Sequence, residues 1–435
     1  MSKQKKGLKP ALRFPEFQDQ TSWIRFKLID VADKNVKWSF IGGPFGSNLK
    51  SSDYIEQGVR IIQLQNIGDG QFNDDYKVFT SKEKADELLA NNIYSGDIIL
   101  SKMGDPVGRA CIIPETDKRY VMCSDGIRLV VDEERHSKYF IYSLINGSQF
   151  RSVVESTATG STRKRIGLAE LKKLPIFLPV KQEQQKIADC LSSMDDLITK
   201  SIKKLESLKS HKKGLMQKLF PAEGKSVPEL RFPEFTGKWN EKELGQLSTI
   251  LRGGSPRPIE NFLTKDKKAL NWLKIGDVDK DAKYISMTQE RVKVEALSKT
   301  RVVNSGDLIM SNSMSFGRPY IMKIQSCIHD GWIAVTDVSQ SIDVNYLYYF
   351  ILSDASQSYF VNSAAGGGIK NLNADIIKKT PVFYAEDIKE QKKIADTLSS
   401  IDDLITENIK NLESLKSHKK GLMQKLFPEI KESIA

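Results

Sequence analysis

Apolar side chains recur at steps of four and three through Ile187, Leu191, Met194, Ile198, Leu205 and Leu208, with Ser201 filling the one vacant position. The run returns as Ile394, Leu398, Ile401, Ile405, Leu412 and Leu415, with Asn408 at the break. Such a heptad seam predicts helices that pack along their length. A helix over 181–220, stopped by Pro221, would span about 60 Å at roughly 1.5 Å per residue. Elsewhere the pattern is shorter. The β-rich runs 60–64 and 126–131, with their counterparts 272–275 and 332–335, sit between Gly, Asn and Asp turn signals and predict strands. An aromatic helix follows in each half, at 139–154 and 346–361. The predicted class is α+β.

The chain is written twice. Leu12-Arg13-Phe14-Pro15-Glu16-Phe17 returns as Leu230-Arg231-Phe232-Pro233-Glu234-Phe235, Ser95-Gly96-Asp97 returns as Ser305-Gly306-Asp307, and residues 205–221 recur unchanged at 412–428. The expected organisation is an N-terminal docking segment (1–20), a first mixed α/β domain (21–180), a central long helix (181–221) and a linker with the second RFPEF segment (222–236). A second mixed domain (237–386), a C-terminal long helix (387–428) and a short tail (429–435) complete it. The simplest partner for each helix's apolar stripe is the other helix, antiparallel. That arrangement predicts a rigid rod with two similar domains at opposite ends, a pseudo-two-fold axis, and an N-terminus close enough to the end of the second helix for the first RFPEF segment to dock.

Composition narrows the chemistry. The 435 residues carry 66 basic and 55 acidic side chains, so 66 − 55 gives +11, with a pI near 9.1. The longest apolar run, 346–352, has seven residues, against the roughly 20 that a membrane-spanning helix needs. No apolar leader follows the basic N-terminus, so the expected location is the cytoplasm and no membrane partner is expected. Cys111, Cys123, Cys190 and Cys327 show no C-x-x-C spacing and His136, His211, His329 and His418 are scattered, which argues against a metal site. Gly224-Lys225-Ser226 resembles the end of a phosphate loop but lacks its first glycine, and no Pro-Pro or H-E-x-x-H occurs. No catalytic residue is expected; the chain binds and does not react.

The helices and RFPEF segments agree almost residue for residue, whereas the domains share a skeleton and differ in their loops. The repeated rod therefore does one job twice, a dock for two copies of one partner, and the domains do two different jobs. The basic helix ends, Lys209, Lys212, Lys213 and Lys218 with Lys416, Lys419, Lys420 and Lys425, leave a partner, a phosphate backbone or plain water open. Divergent polar loops on a basic chain suggest readers of two nucleic-acid sequences. In the first domain the candidates are Gly43, Ser47, Asn48 and Lys50 of one loop; Gln63, Gln65 and Asn66 at a strand end; Lys102 and Arg109; and the basic loop Ser161-Thr162-Arg163-Lys164-Arg165. In the second they are Arg252, Ser255, Arg257, Lys274, Asn312, Ser313, Arg318, Lys370 and Asn371. Asn and Gln can bond adenine through two contacts, Arg and Lys suit guanine, and cations with backbone amides position a protein on phosphates.

The ends of the domains carry a resemblance. Leu174-Pro175-Ile176-Phe177-Leu178-Pro179 followed by Glu183-Gln184-Gln185-Lys186-Ile187-Ala188 is paralleled by Thr380-Pro381-Val382-Phe383 followed by Glu390-Gln391-Lys392-Lys393-Ile394-Ala395. With two variable domains, this closely resembles the specificity subunit of type I restriction-modification enzymes, over nearly the whole chain. Gly160 to Arg163 and 166–171 look like the end of that family's target recognition domains, and the second domain departs with Gly366 to Asn371 in place of the Thr-Arg pair. The resemblance implies that each target recognition domain reads one half of a split double-stranded DNA site and that the antiparallel helices act as a ruler. It also implies two modification subunits, which use S-adenosylmethionine to methylate an adenine in each half, and two restriction subunits, which use ATP and Mg2+. This chain itself would hold no cofactor. The competing readings are a two-headed DNA-binding regulator acting alone and an enzyme of unrecognised type.

Overall fold

The computed structural model describes residues 8–312, 317–363 and 372–430. The chain divides into two compact units, one of residues 1–202 with 411–435 and the other of residues 203–410. No helix among the described residues is long and apolar enough to cross a membrane.

The first unit holds two large sheets beside a two-stranded ribbon. A four-stranded antiparallel sheet has the order Phe40–Gly42, Gly126–Leu129, Ile98–Ser101, Ala110–Ile112. A five-stranded sheet runs Tyr54–Ile55, Val78–Thr80, Val59–Ile62, Arg119–Met122, Asn92–Tyr94, and pairs its third and fourth strands in parallel. The second unit repeats both orders. One sheet runs Thr249–Arg252, Trp332–Thr336, Leu308–Ser311, Pro319–Met322 and adds Tyr284–Ile285 at its edge. The other runs Leu263–Thr264, Glu290–Val292, Leu270–Leu273, Ser326–Ile328, Arg301–Val303. The strands are buried on most positions, as their near-continuous apolar runs require. In each unit a two-stranded ribbon, Ile24–Lys27 with Pro175–Leu178 or Trp239–Glu243 with Pro381–Ala385, leads into a long helix.

Both long helices have 39 residues, Lys181–Leu219 and Ile388–Leu426. Each has an acid in its first turn, Glu183 or Glu390, and a lysine in its last, matching the helix dipole. Asp387 caps the second, its carboxylate accepting from the Lys389 N–H at 2.8 Å, and Pro221 and Pro428 follow the helix ends. Ile187, Leu191, Ile394, Leu398, Ile401 and Leu412 are buried, while Met194, Ile198, Leu205, Leu208, Ile405 and Leu415 are half-buried. Within each unit the start of one helix meets the end of the other, antiparallel. Lys419 reaches Asp195 at 2.5 Å in the first unit, and Lys212 reaches Asp402 at 2.6 Å in the second. The helix ends plug into the domain cores. Phe427 lies 5.4 Å from Phe140 and 6.3 Å from Trp23 between ring centres, and Phe220 lies 5.5 Å from Tyr346 and 5.9 Å from Phe350.

The RFPEF segments tie these ends down. Arg13 grips Glu183 with two bonds of 2.8 and 2.7 Å while the Leu12 N–H donates to the Lys425 carbonyl at 2.9 Å. In the second unit Arg231 grips Glu390 at 2.8 Å twice and the Leu230 N–H donates to the Lys218 carbonyl at 2.9 Å. Two expectations need correction. Each aromatic helix is two: Lys138–Asn146 and Ser148–Thr157 part at Gly147, whose extended backbone ends one and opens the next, and Val344–Ile351 gives way to Asp354–Ser363 at Ser353. The expected 60–64 strand stops at Ile62, because the Asn66 side chain accepts from the Gln63 N–H at 2.9 Å and folds Leu64–Asn66 into a 3-10 turn.

Candidate nucleic-acid interface

Each domain carries an Asp-Gly pair where its central antiparallel sheet turns, Asp125-Gly126 in the first and Asp330-Gly331 in the second. In the first domain the Lys102 N–H donates to the Asp125 carbonyl at 2.7 Å, and Arg165 meets its carboxylate at 2.9 Å. The loop that begins at Gly43 leaves the sheet beside this turn. The Gly43 N–H donates to the Gly126 carbonyl at 2.7 Å, and a Cβ at position 43 would collide with the Cys123 carbonyl, so only glycine fits. Ser47, Asn48 and Lys50 are exposed beyond it, the Ser47 hydroxyl donating to Asn48 at 3.3 Å and the Lys50 N–H to Asp53 at 2.7 Å.

A cleft of about 670 Å³ joins Gln65, Arg109, Ser161, Thr162, Arg163 and Lys164, with Glu155 as an acid on its wall. The loop residues 161–165 are exposed and Gln65 is exposed. This combination of cations, hydroxyls and one amide suits a phosphate backbone with base edges beside it. Three candidates serve the loop's architecture instead. Asn66 is buried, and its amide donates to the carbonyls of Asn73 and Tyr76 at 2.8 and 2.9 Å, so it closes the turn and faces no solvent. Gln63 spends its amide on the Tyr54 hydroxyl at 2.8 Å. Arg109 lines the cleft, but it donates to the carbonyls of Ile67 and Leu64 and braces the turn that presents Gln65.

In the second domain Arg252, Ser255, Arg257 and Asn312 converge on Asp330. The Ser255 hydroxyl donates to its carboxylate at 2.8 Å and Arg257 lies 3.4 Å away, while Arg252 and Asn312 both donate to its carbonyl at 3.0 Å. Desolvation pushes the Asp330 carboxyl up, but the Ser255 hydroxyl, His329 and the two arginines outweigh it and hold the group below its ordinary value. It is a charged anchor for a cationic loop. Lys274 and Arg318 stand apart from it: Lys274 pairs with Glu290 at 2.7 Å, and Arg318 lies 3.7 Å from Asp281 in a cleft beside the second long helix. Ser313, Lys370 and Asn371 lie outside the described residues.

Neither Asp125 nor Asp330 stood among the sequence candidates, although an Asp-Gly pair repeated before matching strands was a readable signal. Burial pushes the thiols of Cys111, Cys123 and Cys327 up to about 12, 11 and 11, which keeps them protonated and unreactive. Among the described residues no three His, Cys, Asp or Glu side chains group as metal ligands.

The family described as type I restriction modification DNA specificity domain matches this chain twice, over residues 51–209 and 236–414. The putative type I restriction enzyme MjaX specificity subunit of Methanocaldococcus jannaschii is 25% identical over 390 residues, covering 85% of this chain and 86% of the relative. The MjaVIII specificity subunit of the same organism is 27% identical over 394 residues, covering 87% and 84%. The S subunit of the type I restriction-modification system of M. genitalium shares the fold with a TM-score of 0.60 at 17% identity, over 98% of this chain and 100% of that one. With both halves matched in tandem and the same strand order built twice, this chain belongs to the type I restriction-modification DNA specificity family.

Proposed function

We propose that each domain reads one half of a bipartite double-stranded DNA site, through the loops gathered at its Asp-Gly turn. The observation that carries this is the contrast between two domains of one strand order. The acid at the turn holds the basic loop 161–165 in the first and the loop 252–257 in the second. A shared skeleton with different chemistry at one place is what two readers of unlike sequences require. The repeated helices serve as the dock for two methyltransferase subunits, which supply S-adenosylmethionine and modify an adenine in each half-site. Their 39 unbroken residues, about 58 Å at roughly 1.5 Å each, set the spacer between the halves. Two restriction subunits add ATP- and Mg2+-dependent translocation and cleavage, and the chain works in the cytoplasm without a cofactor of its own.

The test is methylome sequencing of a host that carries the modification subunit with and without this chain. A new two-part motif, methylated at adenine in both halves, is expected. An assembled complex that leaves no new motif would overturn the reading and favour a regulator that binds alone.

A further inference from the structure

Phe45 is 83% exposed, the most exposed of the large apolar side chains among the described residues. Its loop is held at both ends. Gly43 is fixed against the Cys123 carbonyl and bonded to Gly126, Pro44 is buried, and Leu49 is buried in a cluster with Ile61, Ala85, Leu88 and Val121. The Asn48 N–H donates to the Phe45 carbonyl at 2.8 Å and closes the turn at the tip. These anchors use backbone atoms and other side chains, so nothing in the fold of the loop calls for a ring at position 45. A small polar residue would form the same turn without presenting apolar surface to water.

Two observations say what covers the ring. First, its surroundings are polar and cationic: Ser47, Asn48 and Lys50 are exposed on the same loop, and Arg165 and Lys102 meet the Asp125-Gly126 turn from which the loop departs. Lysine and serine are depleted at protein–protein interfaces, while lysine, arginine and hydroxyls suit phosphates. Secondly, the aromatic occurs once. The corresponding loop of the second domain, Gly253-Gly254-Ser255-Pro256-Arg257-Pro258, has no aromatic residue. A protein that docked twice on a repeated surface would need the feature in both halves. Phe45 therefore belongs with what differs between the halves, which is the nucleic acid.

We propose that Phe45 is an apolar wedge that enters the base stack of the half-site read by the first domain, while the second domain reads its half without one. The inference rests on the bipartite reading above. An apolar side chain inserted at a base step unstacks it and bends the duplex, and the surrounding cations hold the backbone in place. Unstacking also eases extrusion of a neighbouring base, which chemistry on adenine requires.

The experiment uses the full complex with its modification subunit and a duplex bearing its own methylated motif, with 2-aminopurine placed at one position at a time through both halves. Probes at the two target adenines should brighten in both halves, because methylation extrudes those bases; beyond them, wild-type complex should brighten the probe at one further step, in one half-site. Phe45→Ala should lose that signal and bind about ten-fold or more weakly, with the salt dependence unchanged because no phosphate contact is removed. Phe45→Trp should keep both signal and affinity, and probes in the other half should respond alike in all three proteins. The wedge is overturned if no position beyond the two target adenines brightens in wild type or if Phe45→Ala matches wild type in signal and affinity. It is equally overturned if the alanine variant loses its modification subunit on size-exclusion chromatography, which makes Phe45 a protein contact. A wild-type complex that fails to select any bipartite duplex would instead overturn the function on which the wedge rests.

Discussion

Removing Arg13 tests whether the RFPEF segment is a structural staple. Glu183 has no exposed side-chain surface and Arg13 only 7%, so the pair is desolvated. Two bonds of 2.8 and 2.7 Å join them, and the Trp23 indole N–H adds a third contact at 3.2 Å. Breaking a buried pair by deleting one member costs about 3–5 kcal/mol, most of it the penalty of a charge left without its counter-ion. Because Trp23 still donates to Glu183, the lower end applies to Arg13→Ala, about 3 kcal/mol. At about 1.4 kcal/mol per factor of ten, that is a fall of roughly 100-fold in the hydrogen-exchange protection of the N-terminal segment. The Leu12 N–H, which donates to the Lys425 carbonyl, is the amide to follow.

The second unit supplies an internal comparison. Glu390 is 1% exposed, but Arg231 is 24% exposed and the Trp239 indole N–H has no hydrogen-bond partner among the described residues. Water reaches the second carboxylate more easily once its arginine is gone, so Arg231→Ala should cost less, about 2 kcal/mol. The double replacement Arg13→Met with Glu183→Met removes charge and counter-charge together and should recover most of the loss. The Arg13–Glu183 pair is no staple if Arg13→Ala changes protection by less than about five-fold, or if the double variant opens as readily as the single one.

Asp330→Asn frees Arg257 for phosphates, so the slope of log affinity against log salt should steepen by about 1 while discrimination in the second half-site falls; an unchanged slope would show that Asp330 does not restrain the loop. Burial, followed by the nearby Arg135, holds the His136 pKa below its ordinary 6.5. The unfolded chain therefore takes up this proton first: the stabilising contribution is intact above about pH 6.5 and is lost as pH falls through the lower folded value. His136→Gln should shrink the drop in urea midpoint between about pH 7.5 and 5.5, and an equal drop would exclude His136 as a source. Asn408 is buried with an Oδ1 that has no hydrogen-bond partner among the described residues, so Asn408→Leu should raise stability by about 1–3 kcal/mol. A lower urea midpoint would contradict that.

The helices were legible because a seam of twelve apolar positions and two polar breaks states burial directly, and burial is what periodicity reports. Strand order was not legible, since short β-rich runs do not say which neighbour they pair with. The candidate site was legible only in part, for a related reason. Gln65, Asn66 and Gln63 look alike as letters, yet one faces the cleft and the other two close a turn or bond a tyrosine. Composition at a strand end cannot separate a polar side chain aimed outward from one spent on a neighbouring carbonyl. The aromatic runs hid their break because Gly147 interrupts the backbone without interrupting the apolar pattern.

Why residues 205–221 recur unchanged at 412–428 follows from what each copy meets. Lys419 and Lys212 bind Asp195 and Asp402, the Lys425 and Lys218 carbonyls accept from Leu12 and Leu230, and Phe427 and Phe220 enter cores headed by Phe140 and Tyr346. Nearly every partner is itself one of a repeated pair, so a change in one helix end would need a matching change in its socket. The loops at the Asp-Gly turns have no such obligation: Arg165 and Asp125, or Arg257, Ser255 and Asp330, bond within one domain. A substitution there alters what the domain presents to a half-site and leaves every helix socket intact. Physical separation of these two sets of contacts is what lets the reading surfaces diverge while the scaffold stays the same in both halves.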